Sequence, residues 1–472
     1  MKRTLLRGGT LVTAERSFPA DLLIEGETIK DIGSGLLDAD AEVIDASGKL
    51  LLPGGVDPHT HFDLEMFATV SSDDHYTGHK AAAFGGTTTV IDFVPQMDGS
   101  LADSIAAWHA KADPKAAVDW GFHMNITRLD EDVLAEIPSL PDLGITTLKT
   151  FMAYNGRLRL NDGEIFQVMQ VAKANGMLTM LHAENGDVID ILTAAALAAG
   201  HTAPIWHART RPAWGGMEAV LRGAALAAQA DAPLYVVHMN SAGEADQLAY
   251  AREHGAPVMG ETCPQYLLFN EEHLQQEDGA KWVCSPPMRT AADNAALWQA
   301  VSDDVFQTIG TDHCAFFYEG ATPIDYEGQS VAIPGKELGA DDFSKIPNGL
   351  PMVGDRLPVL WTFGVGQGRL TPEQFVAYTS TNPARIFGLY PRKGALQPGS
   401  DADIVIWDSD KEVTYGREHS QQRTDYNLFE GWQLKGFPEK VFLRGRVLVD
   451  REEWLGAAGQ GRFLERGPGE VL

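Results

Sequence analysis

Cysteine is scarce in this chain of 472 residues, and no apolar run is long enough to span a bilayer. The three cysteines, Cys263, Cys284 and Cys314, are too few and too scattered for a disulfide framework or a zinc-finger motif. The two basic residues near the start are not followed by the apolar stretch of a signal peptide. We therefore expect a reducing, cytoplasmic location.

Basic residues are also few compared with acidic ones. The chain has 37 Lys and Arg and 65 Asp and Glu, which gives a net charge of −28. Nucleic acids and anionic membranes require a positive field, so neither is expected as a partner. No G-x-G-x-x-G follows a predicted strand and no Walker loop occurs, which removes the usual mark of a doubly wound nucleotide-binding sheet. Hydrophobic residues make up 44%, enough for a large core.

The middle of the chain, residues 54–390, alternates short apolar strands with Ala-rich amphipathic helices. Eight strand candidates occur there, in GVDPHTHFD, TTTVIDFV, AVDWGFHMNI, ITTLKTFMAY, MLTMLHAEN, PLYVVHMNS, APVMGETCPQY and VFQTIGTDH. Eight strands alternating with helices predict an α/β fold of the closed (β/α)₈ TIM-barrel type. A doubly wound open sheet is the competing architecture.

The two flanks have a different character, since both are rich in short strands and Gly-containing turns. We expect residues 1–53 and 391–455 to pair into one small β-sandwich-like domain, because chain termini often lie close together. The Gly-rich segment 456–472 is predicted to be an extended arm. A helix is predicted after Thr371, with Thr371 as N-cap and Pro372 at the first helical position.

Polar side chains that can bind metal ions lie in or just after five of the predicted strands. They are His59, His61, Lys149, His182, His238 and Asp312. In a barrel of this type the carboxyl ends of the strands meet at one face, which is where active sites form. We therefore expect these side chains to share one site.

The H-x-H pair His59 and His61 has the two-residue period that places both imidazoles on one side of a strand. Neutral imidazoles suit zinc or another divalent transition metal. The alternative for these two residues, and for His182 and His238, is a core histidine without a metal. Asp312 can bind metal, act as a general base or cap a helix.

Lys149 is unusual because it interrupts an apolar, β-prone stretch where a free ammonium is costly to bury. It can pair with a buried acid or extend its ammonium to solvent. Alternatively, its neutral amine reacts with carbon dioxide, and the carbamate bridges two divalent ions. The residues by themselves leave these alternatives open.

The sequence resembles the dihydropyrimidinase/D-hydantoinase family of cyclic amidohydrolases over nearly its whole length. Matching stretches are PGGVDPHTHFD, LKTFMAY, HAENGDVID, GETCPQYL, VCSPPMR, GTDHC, KELGADDFSKIPNG and TSTNPARIFGLYPRKG. Together these motifs are far more specific than an isolated H-x-H.

The resemblance implies two divalent metal ions, with zinc favoured over manganese or cobalt. One ion would be held by His59, His61 and Asp312 and the other by His182 and His238, with carboxylated Lys149 bridging both.

The resemblance also implies hydrolytic opening of a cyclic amide or ureide, a 5,6-dihydropyrimidine or a 5-substituted hydantoin, to an N-carbamoyl amino acid. A hydroxide bridging the metals would attack the ring carbonyl, and Asp312 would transfer the proton to the leaving nitrogen. Tyr154 would contact the substrate and stabilise the oxyanion. Backbone groups of Ser285 and Asn348 would hold the amide edge of the ring.

Two alternatives remain within this resemblance. One is another cyclic amidohydrolase, of the allantoinase, dihydroorotase or imidase type. The other is a non-catalytic dihydropyrimidinase-related interaction protein, although such proteins have lost metal ligands and this chain keeps all six. The family also implies a homo-oligomer, a tetramer or dimer.

The chain departs from the family pattern near the expected substrate pocket. Residues 64–68 read Leu-Glu-Met-Phe-Ala where relatives commonly have Met-Pro-Phe-Gly-Gly, so the enantiomer preference is not carried over. Asn155 replaces the usual lysine after Tyr154, and Ala315 replaces a proline. An inserted stretch, residues 316–334, is predicted to be a lid or an interface loop, and the alternative is a surface insertion without a role.

Overall fold

The structure is a computed structural model that describes residues 2–66, 68–320, 323–326 and 329–472, without the side chains of residues 325 and 326. Its two large sheets have nine and eight strands. Within these ranges no helix combines the length and the apolar character needed to cross a membrane.

The strands of the described residues fall into three groups along the chain. The N-terminal flank contains β1 (Arg3–Val12), β2 (Ser17–Glu25), β3 (Thr28–Gly33), β4 (Glu42–Asp45) and β5 (Leu50–Pro53). The middle contains β6 (Gly55–Thr60), β7 (Glu65–Met66), β8 (Thr69–Val70), β9 (Thr87–Val94), β10 (Asp119–Asn125), β11 (Thr147–Phe151), β12 (Leu178–His182), β13 (Leu234–Val236), β14 (Val258–Thr262), β15 (Thr308–Ile309), β16 (Pro323–Tyr326) and β17 (Gln329–Ala332). The C-terminal flank contains β18 (Ile404–Thr414), β19 (Gln433–Leu443), β20 (Arg446–Asp450) and β21 (Glu453–Trp454).

Helices connect the strands of the middle region. The α-helices are α1 (His75–Phe84), α2 (Leu101–Ala112), α3 (Glu131–Glu136), α4 (Asp162–Ala174), α5 (Gly186–Ala198), α6 (Ile205–Arg209), α7 (Ala213–Ala230), α8 (Ala242–Glu253), α9 (Pro264–Leu268), α10 (Ala291–Ser302), α11 (Arg356–Leu360), α12 (Pro372–Val376) and α13 (Asn382–Ile386). Short 3₁₀ turns span Ile137–Leu143, His273–Gln275, Gly279–Trp282, Lys336–Gly339 and Phe343–Lys345. Wider π-type turns span Trp361–Val365 and Ala377–Thr381.

The eight-stranded sheet is the barrel wall, with β6 paired to β9 and each later strand of the sheet paired in parallel to the next, up to β15. The wall closes where the His61 amide donates to the His313 carbonyl, with 2.7 Å between nitrogen and oxygen. All eight predicted strands occur in this wall, and the predicted (β/α)₈ barrel is confirmed. Their side chains are almost all buried, as expected for parallel strands covered by helices.

Several helices begin at side chains that cap their first turn. The hydroxyl of Thr371 accepts from the Gln374 amide, and Pro372 is the first residue of α12, as the sequence predicts. Asp74 caps α1 in the same way, through a reciprocal bond with Thr77. These caps fix where α1 and α12 begin.

The nine-stranded sheet joins the two flanks. Its order is β21-β20-β19-β18-β5-β1-β2-β3, with β4 paired to β1, and the two flanks meet where β5 lies antiparallel to β18. A small β domain built from both flanks is thus confirmed, with its own apolar core. The exact boundaries at residues 53, 390 and 455 stay a prediction. The segment after 455 runs extended past β10, where the Leu464 amide donates to the Trp120 carbonyl over 2.7 Å.

Candidate active site

A cavity of about 210 Å³ lies at the carboxyl end of the barrel strands. All the site residues predicted from the sequence line it: His59, His61, Lys149, Tyr154, His182, His238, Ser285, Asp312 and Asn348. The strands bring these residues together because parallel strands of a barrel end at the same face. A concave cavity with converging polar groups is typical of a small-molecule site.

His59, His61 and Asp312 form a compact group. Asp312 Oδ1 lies 3.1 Å from His59 Nε2 and 3.3 Å from His61 Nε2. Each residue offers one ligand atom, and these atoms lie within 4.8 Å of one another. Two imidazoles and one carboxylate fit the donor set that zinc and similar divalent ions prefer.

His182 and His238 form a second pair beside this group. His182 Nδ1 lies 2.9 Å from His238 Nε2, and the buried Nδ1 of His238 has no hydrogen-bond partner among the described residues. Burial lowers the pKa of both imidazoles, that of His238 well below its ordinary value. Both rings are therefore neutral near pH 7 and keep lone pairs that can bind a metal ion.

Lys149 projects from β11 into the same cavity and is 2% exposed. Its Nζ lies 5.1 Å from the Phe93 ring centre and 5.5 Å from that of Phe151, and it makes no hydrogen bond or ion pair with any residue that the structure describes. Burial lowers the pKa of the Lys149 amine to about 7. The lysine therefore neither pairs with a buried acid of the described chain nor reaches solvent.

Three site residues that are not glycine have left-handed backbone: Tyr154 at φ 68°, His238 at φ 43° and Asp312 at φ 52°. Residues other than glycine rarely adopt this backbone conformation, and it occurs most often at functional sites. The sequence carries no local signal for it, because tertiary contacts impose the conformation.

Glu261, in β14, contacts two of the site histidines, His59 and His238. It is not among the site residues that the sequence predicts. Its Oε1 lies 2.6 Å from His59 Nδ1 and accepts from the His238 amide over 3.1 Å, while Oε2 accepts from the Tyr235 hydroxyl over 3.0 Å. A carboxylate on the far nitrogen of an imidazole fixes its tautomer and orients it toward a metal. The sequence feature that could have indicated Glu261 is a carboxylate inside an otherwise apolar predicted strand.

Ser285 and Asn348 lie side by side at the rim of the cavity. Asn348 Nδ2 donates to Ser285 Oγ over 3.0 Å, and His207 Nε2 lies 3.1 Å from the same hydroxyl. His207 is not among the site residues that the sequence predicts. Tyr154 faces the His182 ring at 5.2 Å between centres, and burial raises the pKa of its hydroxyl.

The unusual loop after His61 lines the cavity through Leu64, Glu65 and Met66. Phe67 lies outside the described residues. Ala68 has φ 61°, a conformation that glycine adopts without strain and that costs other residues about 1–2 kcal/mol.

The inserted segment contains the hairpin β16–β17, with residues 321, 322, 327 and 328 outside the described residues. Ile324 and Ile333 pack with Val70 and Phe317 in a small buried cluster. The Thr69 hydroxyl also donates to the Pro334 carbonyl over 2.6 Å. The insertion thus contacts the loop that lines the cavity, while its role as a lid or interface stays a prediction.

A (β/α)₈ barrel with histidines, an aspartate and a buried lysine at the carboxyl ends of its strands defines the class of metal-dependent barrel hydrolases. The amidohydrolase family model matches residues 50–448, and the chain belongs to that family.

Relatives match the whole length of the chain. It is 44% identical to a D-hydantoinase of Geobacillus stearothermophilus, over 98% of this chain and 96% of the relative. It is 42% identical to a D-hydantoinase of Streptomyces coelicolor, over 100% and 99% of the two chains. The crystal structure of a dihydropyrimidinase from Brevibacillus agri is similar with a TM-score of 0.95 and 46% identity, over 99% of each chain.

Proposed function

We propose that this protein hydrolyses the ring C–N bond of a cyclic amide or ureide, a 5,6-dihydropyrimidine or a 5-substituted hydantoin, and releases an N-carbamoyl amino acid. The main observation in support of this proposal is that every residue expected for this chemistry lines one cavity. The relatives named D-hydantoinase and dihydropyrimidinase support the same reaction.

The donor groups in the cavity are suited to two divalent metal ions. His59, His61 and Asp312 would hold one ion, and His182 and His238 would hold the other, with zinc favoured by the imidazole donors. When bound, such ions supply Lewis acidity and lower the pKa of the attacking water.

Lys149 would link the two halves of the centre as a carbamate. Its neutral nitrogen would form a bond to the carbon of carbon dioxide and release one proton, leaving an anionic carbamate with two oxygen donors. The lowered pKa of the Lys149 amine, about 7, supports this step because a large share of the amine is then neutral near pH 7.

Asp312 and Tyr154 would carry the proton and charge changes of the reaction. The Asp312 carboxylate would accept the proton of the attacking water and return it to the leaving ring nitrogen. The Tyr154 hydroxyl, kept protonated by its raised pKa, would donate a hydrogen bond to the carbonyl oxygen as negative charge develops there.

Ser285 and Asn348 would hold the amide edge of the ring through their backbone groups. The substituent of the ring would then face the loop that includes Leu64 and Met66. We also propose a cytoplasmic location, supported by three free cysteines, and a homotetramer or homodimer, supported by the family resemblance.

The alternatives receive less support. The relatives above are hydantoinases and a dihydropyrimidinase, and not allantoinases, dihydroorotases or imidases. A non-catalytic role fits poorly with a cavity that retains all six candidate metal ligands.

The test measures ring opening of dihydrouracil and a panel of 5-substituted hydantoins. Ring opening is monitored as the loss of ultraviolet amide absorbance. The protein is prepared with zinc and bicarbonate, and Lys149→Ala is the matched variant. We expect turnover by the wild type and none by the variant. Turnover that survives in Lys149→Ala would contradict the role of the lysine, and no turnover of any cyclic amide would contradict the function.

A further inference from the structure

Lys336 is a buried lysine outside the candidate metal centre. It is 1% exposed, and its Nζ donates to the carbonyls of Val283 and Pro347, each over 2.9 Å. The cysteines Cys284 and Cys314 face it, and no carboxylate of the described residues pairs with it. Burial lowers the pKa of this ammonium to about 7, as expected for a charge far from water.

The two carbonyls belong to the two segments expected to hold the substrate ring. Val283 precedes Ser285 by two residues, and Pro347 directly precedes Asn348. The segments also contact each other directly, since the Gly349 amide donates to the Val283 carbonyl over 3.0 Å. Lys336 therefore donates hydrogen bonds to both segments from a single side-chain nitrogen.

The backbone of Lys336 is itself fixed. Its amide donates to the Phe317 carbonyl over 2.8 Å, which closes the base of the inserted segment. Lys336 is also the first residue of the 3₁₀ turn Lys336–Gly339. The ammonium thus extends from an anchored position, and a shift of either carbonyl would break its bonds.

We propose that Lys336 is a positioning residue that sets the spacing between the Ser285 and Asn348 segments, and through it the way the amide edge of the ring is held. The inference rests on the proposed function and deepens it. Lys336 touches neither the ring nor the candidate metal ligands, and it acts only through the two carbonyls.

The experiment compares Lys336→Met, which removes the donors, with Lys345→Met in the same part of the chain. Lys345 is exposed over 68% of its side chain and pairs with Asp342, so its substitution is expected to be neutral. Hydrogen–deuterium exchange is measured for peptides covering 283–285 and 348–350. Turnover is measured with hydantoin and with 1-methylhydantoin, which lacks one ring N–H.

We expect Lys336→Met to raise exchange in both segments by about tenfold while bound metal is unchanged. We also expect the preference for hydantoin over 1-methylhydantoin, as a ratio of kcat/KM, to shrink by about fivefold, because the variant holds the ring N–H less well. Lys336→Gln, which keeps an N–H donor, should recover part of both effects, and it provides the test if Lys336→Met does not fold.

Unchanged exchange in either segment, or an equal loss of activity with both rings, would overturn the proposal. A wild type that opens both rings equally well would also overturn it, because the ring edge would then not be held as proposed. A wild type that opens neither these rings nor dihydrouracil nor a 5-substituted hydantoin would contradict the proposed function instead, and the exchange measurement would still decide whether Lys336 holds the two segments.

Discussion

Glu261 Oε1 lies 2.6 Å from His59 Nδ1, and the same oxygen accepts a hydrogen bond from the backbone amide of His238 over 3.1 Å. One buried carboxylate therefore contacts a residue from each half of the proposed metal centre. It orients the imidazole of His59 and holds the left-handed backbone of His238 at φ 43°.

Substituting Glu261 by Gln keeps the shape of the side chain and removes its charge. We expect zinc affinity to fall about 10–100-fold, because the His59 imidazole loses the carboxylate that orients it. Zinc affinity is measured by competition with a chelator. Tyr235→Phe is the matched variant, since it removes only the hydroxyl that contacts Oε2, and it should lose less affinity. Equal affinity in Glu261→Gln and the wild type would show that the contact does not orient the ligand.

Carboxylation of Lys149 should depend on pH. With the pKa of the amine lowered by burial to about 7, the reactive neutral form predominates above that pH and is lost below it. At constant carbon dioxide pressure, the carbamate signal in ¹³C NMR of the metal-free protein should therefore rise through pH 7. Lys149→Ala should show no such signal. A signal independent of pH, or one retained in the variant, would contradict the assignment.

Lys393 ties the small β domain to the barrel. Its Nζ lies 2.6 Å from Asp119 Oδ2 in β10 and 2.7 Å from Asp403 Oδ2, just before β18, with the lysine 1% exposed. Lys393→Met removes a partner that both carboxylates share and leaves Asp119 paired with Arg444, so the free energy of unfolding in urea should fall by about 1.5–3 kcal/mol.

The control for Lys393→Met is Lys435→Met. Lys435 is exposed over 48% of its side chain and pairs only with exposed acids, so its loss should cost less than about 1 kcal/mol. Equal losses in the two variants would mean that the buried lysine does not hold the two parts together.

Ile333 should influence substrate choice although it lies outside the cavity. It is 3% exposed and packs against Val70, at the end of the loop that lines the cavity. Ile333→Ala leaves a void that lets this loop move. The ratio of kcat/KM between a bulky 5-substituted hydantoin and dihydrouracil should change by about threefold. Val331→Ala, at an exposed position of β17, should leave the ratio as in the wild type.

The eight barrel strands could be predicted because each is a short apolar run whose period and length are local properties of the sequence. The candidate metal ligands could be predicted for a related reason. Once the strands are parallel, their carboxyl ends must meet, so polar residues there must converge. This argument needs no knowledge of any side-chain conformation.

Other features of the site could not be predicted from local patterns. Glu261 and His59 are 202 residues apart in sequence, so only the closed barrel brings them into contact. The left-handed backbone of Tyr154 has no signal in a residue type that rarely adopts it. The contact of Lys336 with the Val283 carbonyl, 53 residues away in sequence, is of the same kind.

The central claim is hydrolysis of a cyclic amide, and the most direct test is the fate of dihydrouracil in ¹⁸O-labelled water. Zinc-loaded protein is incubated with dihydrouracil, and the product is analysed by mass spectrometry. We predict N-carbamoyl-β-alanine with one ¹⁸O in its carboxylate, and none with Lys149→Ala. If dihydrouracil and a panel of hydantoins all remain intact with fully metal-loaded protein, the account is wrong.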